Sequence, residues 1–273
     1  MNKHKEIRFE EAIEADLLAK GYQAGDAKRY DAERALFPDD VIAFLQASQP
    51  KKWEGLAGLQ GEAVKETVLN SLTKEFALKG ALHVLRHGFK CFGKTFQLAA
   101  FAPASSMNPE AWEEYRKNIL RVTRQVRFSP PHPHLSVDLV LSVNGLPVAT
   151  LELKNPLSGQ NVEDAKRQYQ FDRDPREPLF KFKERALVHF AADPDLVFMT
   201  TRLAGKETHW LPFNRGQNLG AGNPPAEDGN YRTAYLWEEV LSRDGLLDIL
   251  ARFVHLQVDE KQVMTGSGRH DGV

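Results

Sequence analysis

The sequence predicts a mixed α/β fold, with helical segments before and after a central sheet. In the first third of the chain, apolar residues recur at spacings of three and four, as they do along one face of a helix. In the centre, two almost continuously apolar runs, 135–143 and 147–154, flank the turn signal Asn144-Gly145. Such runs are typical of strands that are covered on both faces. Helical spacing returns between residues 235 and 254.

Local signals place the individual elements. A first helix ends at Gly21, a second begins at the N1 proline Pro38 and ends before Pro50, and Asn108 caps a later one. The predicted helices are 8–20, 38–49, 61–78, 108–118, 162–171, 235–241 and 244–254. The predicted strands are 89–101, 135–143, 147–154, 187–190, 196–201 and 208–211.

Composition excludes several classes of protein. The 273 residues carry 36 Lys and Arg against 37 Asp and Glu, so a protein that holds nucleic acid by bulk positive charge is excluded, although a local basic groove is not. The single cysteine, Cys91, rules out a disulfide framework and a multi-cysteine zinc site. No apolar run approaches the ~18 residues of a membrane helix, and the charged start does not resemble a signal peptide. We therefore expect a cytoplasmic protein.

Residues 88–95 match the P-loop pattern of nucleotide-binding proteins letter by letter. A P-loop follows a buried strand and opens a helix, because its backbone N–H groups must surround the phosphates. Here a helical pattern precedes the motif and a strand pattern follows it. We predict a hairpin turn at Gly93-Lys94 instead, so a nucleotide hydrolase is the weakest interpretation of this chain.

Three charged residues interrupt the central apolar strands: Asp138, Glu152 and Lys154. Buried charges are costly unless they are paired or bind a metal ion. Glu152 and Lys154 are two residues apart and therefore project from the same face. A plain two-residue turn would put Leu151 opposite Asp138, whereas a three-residue turn or one β-bulge would put Glu152 there. We predict the second arrangement, with Asp138 and Glu152 on one face.

Two carboxylates on one face form a hard oxygen site that suits Mg²⁺, and the Leu153 backbone carbonyl is a candidate further ligand. Lys154 beside such an ion can hold or help to deprotonate an attacking water and can offset phosphate charge. The set therefore predicts hydrolysis of a phosphodiester. The alternative is structural: Lys154 pairs with one of the acids in a salt bridge.

A basic segment lies just before these strands. Between residues 116 and 127 the chain carries five basic residues and no acidic one. Arg121, Arg124 and Arg127 are candidates for contacts with DNA phosphates. The alternative for each of them is an ordinary solvated side chain.

The central residues resemble a known family. Asp138, thirteen further residues and then Glu152-Leu153-Lys154-Asn155-Pro156 resemble the PD-(D/E)xK nuclease motif. With Asn144-Gly145-Leu146-Pro147 added, they resemble the N-terminal nuclease domain of the type I restriction enzyme R subunit, over about residues 8–256. The resemblance implies a PD-(D/E)xK restriction-endonuclease-like core that hydrolyses double-stranded DNA with Mg²⁺ or Mn²⁺. It implies that Asp138, Glu152 and Lys154 are the catalytic residues.

The same resemblance implies two further sites. The family has an acidic residue on its first helix near the metal, and Glu10 is the best match, with Glu11 and Glu14 as competitors. The family also has a Gln-x-x-x-Tyr motif on the helix after the catalytic strands. Gln168 fits the glutamine as a DNA-contacting or structuring residue. Asp172 stands where the tyrosine is expected, and a tyrosine, Tyr169, follows Gln168 directly instead.

For domain organisation, the resemblance implies one endonuclease domain over residues 1–260. Its core strands lie at about 135–154, with helical additions at about 31–87 and 235–256, and residues 261–273 are expected to form a flexible tail or linker. The implied partners are modification and specificity subunits, and ATP would act only through helicase domains that this chain lacks. We therefore expect a fragment that cleaves DNA weakly or not at all alone. The alternative is a catalytically silent nuclease-like module that docks DNA or partner subunits.

Overall fold

The computed structural model describes residues 3–105, 107–226 and 230–256. The helices are α1 (Lys3–Ala19), α2 (Pro38–Ser48), α3 (Pro50–Gln60), α4 (Val64–Lys79), α5 (Ala81–His87), α6 (Pro109–Arg116), α7 (Val162–Asp172) and α8 (Arg243–Asp248). The strands are β1 (Gln23–Ala24), β2 (Phe89–Cys91), β3 (Lys94–Phe96), β4 (Leu120–Arg127), β5 (Ser136–Val143), β6 (Leu146–Leu153), β7 (Val188–Ala192), β8 (Val197–Thr200) and β9 (Leu211–Pro212). Two π-helical segments, Leu236–Val240 and Ile249–Phe253, flank α8.

The centre of the molecule is a seven-stranded mixed sheet in the order β1-β4-β5-β6-β7-β8-β9. Strands β4, β5 and β6 are antiparallel neighbours, and after α7 the chain returns as β7, parallel to β6. Strand β1 pairs in parallel with β4, while β8 and β9 continue the other edge in antiparallel fashion. The predicted mixed α/β class with a central sheet flanked by helices is confirmed.

Helix α1 packs onto this sheet through one apolar stripe. Its spacing predicted Ile13, Leu17 and Leu18 as the stripe; Ile13 and Leu17 are fully buried together with Phe9, whereas Leu18 is exposed because it lies at the edge of the buried face. Helix α7 begins with a capping box. The Asn161 side chain accepts the Glu163 N–H, and the Asp164 side chain accepts the Asn161 N–H, each at 2.9 Å. These two helices therefore have fixed positions next to strands β4–β7.

The hairpin of β5 and β6 contains the predicted irregularity. Its turn is Asn144-Gly145, and the register shifts between Leu141 and Ser142, where β6 carries one extra residue. Asn144 is buried; its side chain accepts the Ile119 N–H at 2.7 Å and donates to the Leu98 carbonyl at 2.8 Å. The bulge brings the two strands into the register that the sequence analysis favoured.

Gly145 is expected to be essential for this turn. It has a φ of +82°, and an added Cβ would lie 2.4 Å from the Phe37 carbonyl oxygen. Because strain and overlap add, Gly145→Ala should lower the free energy of unfolding by about 2–5 kcal/mol. Gly93 is the matched control, since it has a φ of +74° with nothing near its Cβ position, and Gly93→Ala should cost only about 1–2 kcal/mol. Urea denaturation of both variants measures the difference; equal losses would contradict the overlap.

Two predicted strands differ in detail, and strand β4 and helix α3 were not predicted. The segment 89–101 forms the hairpin β2–β3 followed by irregular chain, and the predicted strand 208–211 shortens to β9. Helix α3 was not predicted, because Pro50 marks the start of a second helix as well as the end of the first. The hairpin around Gly93 confirms that residues 88–95 are not a P-loop.

The helical additions predicted at 31–87 and 235–256 are present as α2–α5 and as α8 with its flanking π-helical segments. The predicted tail, 261–273, lies outside the described residues. In the part of the chain that the structure describes, no helix combines the length and the apolar character needed to cross a bilayer.

Candidate active site

The bulged register places the two predicted carboxylates opposite each other. Leu139 pairs with Leu151, and extending this register by one position sets Asp138 opposite Glu152. The Leu153 N–H also donates to Asp138 Oδ2 at 2.8 Å, so Asp138 lies directly against the end of β6. Asp138 is half-buried and Glu152 is fully buried. The structure therefore brings these two acids together on one face of the sheet.

Glu152 is held by a residue that the sequence analysis did not identify. Arg173, directly after α7, donates from Nε to Glu152 Oε1 at 2.7 Å. Both side chains are buried. The other oxygen, Glu152 Oε2, is buried and has no hydrogen-bond partner among the described residues. A buried acceptor without a partner is rare, and this oxygen is therefore suited to bind a cation or to accept a hydrogen bond from water.

The structural alternative for Lys154 does not hold. The ion pair to Glu152 is made by Arg173, and within the described ranges no carboxylate lies at ion-pair distance from the Lys154 ammonium. Lys154 is nevertheless buried, one residue beyond the end of β6. The ammonium itself is not fully enclosed, and no carboxylate among the described residues pairs with it, so it is available to another anionic group.

Two carboxyls at the site, those of Glu152 and Glu10, have raised pKa values. Burial, and then the charge of Asp138, raise the pKa of Glu152 to about 8, against the opposing effect of Arg173. The same two causes raise the pKa of Glu10 to about 7. Because these folded-state pKa values lie above the ordinary value, the ionised forms cost the folded chain stability as pH rises from about 4.5 towards 8. A bound cation would favour the ionised forms and offset that cost.

Glu10 lies beside Asp138, and both carboxylates accept hydrogen bonds from protein groups at each of their oxygens. The Gln125 amide nitrogen is 3.1 Å from Glu10 Oε1 and 3.2 Å from Asp138 Oδ1, and thus bridges the two carboxylates. Arg124 donates to Glu10 Oε2 at 3.2 Å. Gln125 has a φ of +51°, a conformation that side-chain-bearing residues rarely adopt in a strand. The role of Glu10 as a metal ligand stays a prediction.

The carboxylates of Asp138 and Glu152 suit a hard divalent cation that takes only one or two of its ligands from protein side chains. Among the residues that the structure describes, no three His, Cys, Asp or Glu side chains converge as ligands of one metal ion. Mg²⁺ is commonly bound by one or two carboxylates, with water and substrate phosphate completing its shell. Asp138 and the unpartnered Oε2 of Glu152 supply such a pair, and the Leu153 carbonyl stays the predicted further ligand.

The three predicted DNA-contacting arginines have different surroundings. Arg121 donates to both oxygens of Asp40, at 2.9 and 2.7 Å, and Arg124 pairs with acids of α1. Arg127 is exposed at the end of β4 and forms no ion pair with any described residue. Of the three, Arg127 alone is therefore available to a phosphate without breaking an existing ion pair.

Gln168 and Tyr169, neighbours on α7, differ in how deeply they are buried. Gln168 is half-buried, whereas Tyr169 is fully buried, with its hydroxyl 2.7 Å from Thr150 Oγ1. Thr150 also contacts His189 Nδ1 at 2.7 Å, which completes a polar chain inside the core. Tyr169 therefore has a packing role here, and the contact of Gln168 with DNA stays a prediction.

Sequence reasoning missed Arg173 and Gln125 as members of the site. Each lies in a segment that was considered for other reasons: Arg173 after the predicted helix 162–171, and Gln125 in the basic segment. The usable signal was the buried Glu152, which requires a partner, but nothing local indicated which basic residue would supply it.

A comparison with protein families found one match. A family model described as the type I restriction enzyme R protein N terminus matches residues 10–208. The matched range includes Glu10, Asp138, Glu152, Lys154 and Arg173, and thus the whole candidate site. A comparison with curated proteins found no match.

Proposed function

Because the chain belongs to the family of type I restriction enzyme R protein N termini, we propose that it is the Mg²⁺-dependent endonuclease domain of a restriction complex. Its reaction is the hydrolysis of phosphodiester bonds in double-stranded DNA. The observation that carries this proposal is the buried, unpartnered Oε2 of Glu152 beside Asp138, at the end of a strand that continues into Lys154. An acidic pair next to a buried lysine suits metal-assisted attack by water.

The order of elements around the site supports a PD-(D/E)xK restriction-endonuclease-like core. Helix α1 precedes the antiparallel strands β4–β6, and α7 then connects β6 to the parallel strand β7. The two strands that carry Asp138 and Glu152 are central in this sheet. A site on central, buried strands is held more rigidly than one on loops, as chemistry on a phosphodiester requires.

In the proposed mechanism each residue has a separate task. Asp138 and Glu152 would hold the divalent cation, which when bound supplies charge stabilisation to the phosphate. The Lys154 ammonium is free of ion pairs to described residues, so it is available to orient the attacking water and to offset phosphate charge. Burial of Glu152 and Lys154 limits solvent around these groups, and electrostatic interactions between them are correspondingly stronger.

We further propose that modification and specificity subunits bring DNA to this domain. The chain has a formal net charge of −1, and Arg121 and Arg124 are engaged in ion pairs. Electrostatic attraction to the phosphate backbone supplies most sequence-independent affinity for DNA. A domain with this charge distribution therefore depends on partners for DNA affinity, and we expect weak or no cleavage by the chain alone.

Metal titration tests the proposed function. By calorimetry, the full chain should bind Mn²⁺ and Mg²⁺, more tightly at about pH 8.5 than at about pH 6.5, because the cation must displace protons from raised-pKa carboxyls. Asp138→Ala should weaken binding at least ~10-fold, since loss of even an outer partner of a metal ligand commonly costs about 10–100-fold. Asp39→Ala, which removes an exposed carboxylate, is the matched control and should bind like the wild type.

The absence of any Mg²⁺ or Mn²⁺ binding by the folded wild-type chain, with a DNA duplex present, would refute the metal site. The silent module that docks DNA or partner subunits would then be the better description of this chain.

A further inference from the structure

We propose that Arg173 is a positioning residue for Glu152: it fixes one oxygen of this carboxylate and thereby reserves the other for the divalent cation. The proposal rests on the proposed function, since it assigns how one of the two acids of that site is presented. It goes further by assigning a role to a residue outside the Asp138, Glu152 and Lys154 set.

The guanidinium of Arg173 joins three parts of the fold. Nε donates to Glu152 Oε1 on β6 at 2.7 Å, and Nη2 donates to the Ser136 carbonyl at the start of β5, also at 2.7 Å. Nη1 donates to the Asp172 carbonyl at the end of α7, at 3.2 Å. The group also lies over the Phe128 ring, 5.1 Å from its centroid. A planar group bound at three nitrogens has little freedom to rotate, and its orientation is set by the sheet itself.

This contact makes the two oxygens of Glu152 unequal. Oε1 is occupied by Arg173, whereas Oε2 is buried with no partner among the described residues. A role confined to stability would not explain the open oxygen, because a structural ion pair is favourable only when its remaining acceptors are also satisfied. Metal ligands are commonly held in this way, with an outer partner that fixes their orientation.

Mn²⁺ binding to the full chain tests this role. Calorimetry on Arg173→Ala and Arg173→Lys should give affinities about 10–100-fold below that of the wild type, the usual cost of removing an outer partner of a metal ligand. Arg173→Lys keeps the charge but cannot bind Glu152 and the Ser136 carbonyl through one planar fork. Arg176→Ala is the matched control, because Arg176 is exposed and pairs only with Asp174 among the described residues. It should bind Mn²⁺ within twofold of the wild type.

A measurement on the wild-type chain does not depend on whether the variants fold. In NMR spectra, the Arg173 Nε–H resonance should stay observable and shift on saturation with Mg²⁺, because its acceptor Glu152 then binds the ion through the opposite oxygen. Saturation that leaves this resonance unchanged would overturn the positioning role.

The outcomes separate the two proposals. Wild-type affinity in a folded Arg173→Lys chain, together with loss of affinity in Asp138→Ala, would overturn the role of Arg173 and leave the proposed function intact. A wild-type chain that binds no metal would overturn both. Reduced affinity in both Arg173 variants at unchanged circular dichroism, with the Arg176→Ala control unaffected, would support the positioning role.

Discussion

Asp138→Asn should abolish DNA cleavage by a complex assembled with this chain, with a loss of at least ~10³-fold. Removing a single well-placed electrostatic group from an active site typically costs about 10²–10³-fold, and here the substitution removes a charged ligand of the proposed cation. The asparagine side-chain oxygen can still accept the Leu153 N–H that Asp138 Oδ2 accepts at 2.8 Å, and only the hydrogen bond that Gln125 donates to Asp138 Oδ1 is lost. We therefore expect the fold, and the melting temperature, to change little. Linearisation of plasmid DNA measures the cleavage rate.

The matched control for this variant is Asp39→Asn, which changes an exposed carboxylate on α2. It should cleave at the wild-type rate. If Asp138→Asn retained more than about a tenth of the wild-type rate at saturating Mg²⁺, the assignment of Asp138 as a metal ligand would be wrong.

Lys154→Met should lose cleavage while it keeps both metal binding and stability. A group that orients or helps to deprotonate the nucleophile typically contributes about 10²–10⁴-fold, so we expect a loss of that size. Methionine approximates the length and the apolar stem of lysine but carries no charge. The Lys154 stem is buried and its ammonium forms no ion pair within the described residues, so methionine, which packs a similar stem, should leave the melting temperature unchanged or raise it.

This combination of a more stable and less active variant separates a functional lysine from a structural one. Mn²⁺ affinity of Lys154→Met should stay within about threefold of the wild type, because lysine is not a metal ligand. Lys181→Met, at an exposed position, is the control and should change neither rate nor stability. A large drop in melting temperature for Lys154→Met would show that this side chain holds the fold together.

Much of the architecture could be predicted from local pattern. The spacing of Ile13 and Leu17 on α1 and the apolar runs on either side of Asn144-Gly145 follow directly from helix and strand geometry. These signals act over a few residues, so a single sequence reveals them. Pro50 serves both as the stop signal of α2 and as the start signal of α3. Because one residue carries both signals, the second helix was missed.

The arrangement of Asp138 opposite Glu152 was also within reach of the sequence, because a strand has only two faces. Residue counting across the turn left two registers, and we predicted the one with a bulge or a three-residue turn, which groups the acids. The bulge at Leu141 and Ser142 selects that register. Its position along the strand was not predictable, since it depends on how the hairpin packs against the rest of the sheet.

Only the tertiary structure decided which charges pair. Arg121 and Arg124 lie in a basic run that suggests a phosphate-binding surface, yet the fold engages them with Asp40 and Glu10, 81 and 114 residues away. Glu152 required a partner, and the fold supplied Arg173 from the end of α7 in place of the nearby Lys154. The periodic spacing of apolar residues follows from local backbone geometry, so it can be recognised in the sequence alone. The choice of an ion-pair partner depends on which distant side chains packing brings within about 4 Å, and no local pattern encodes that distance.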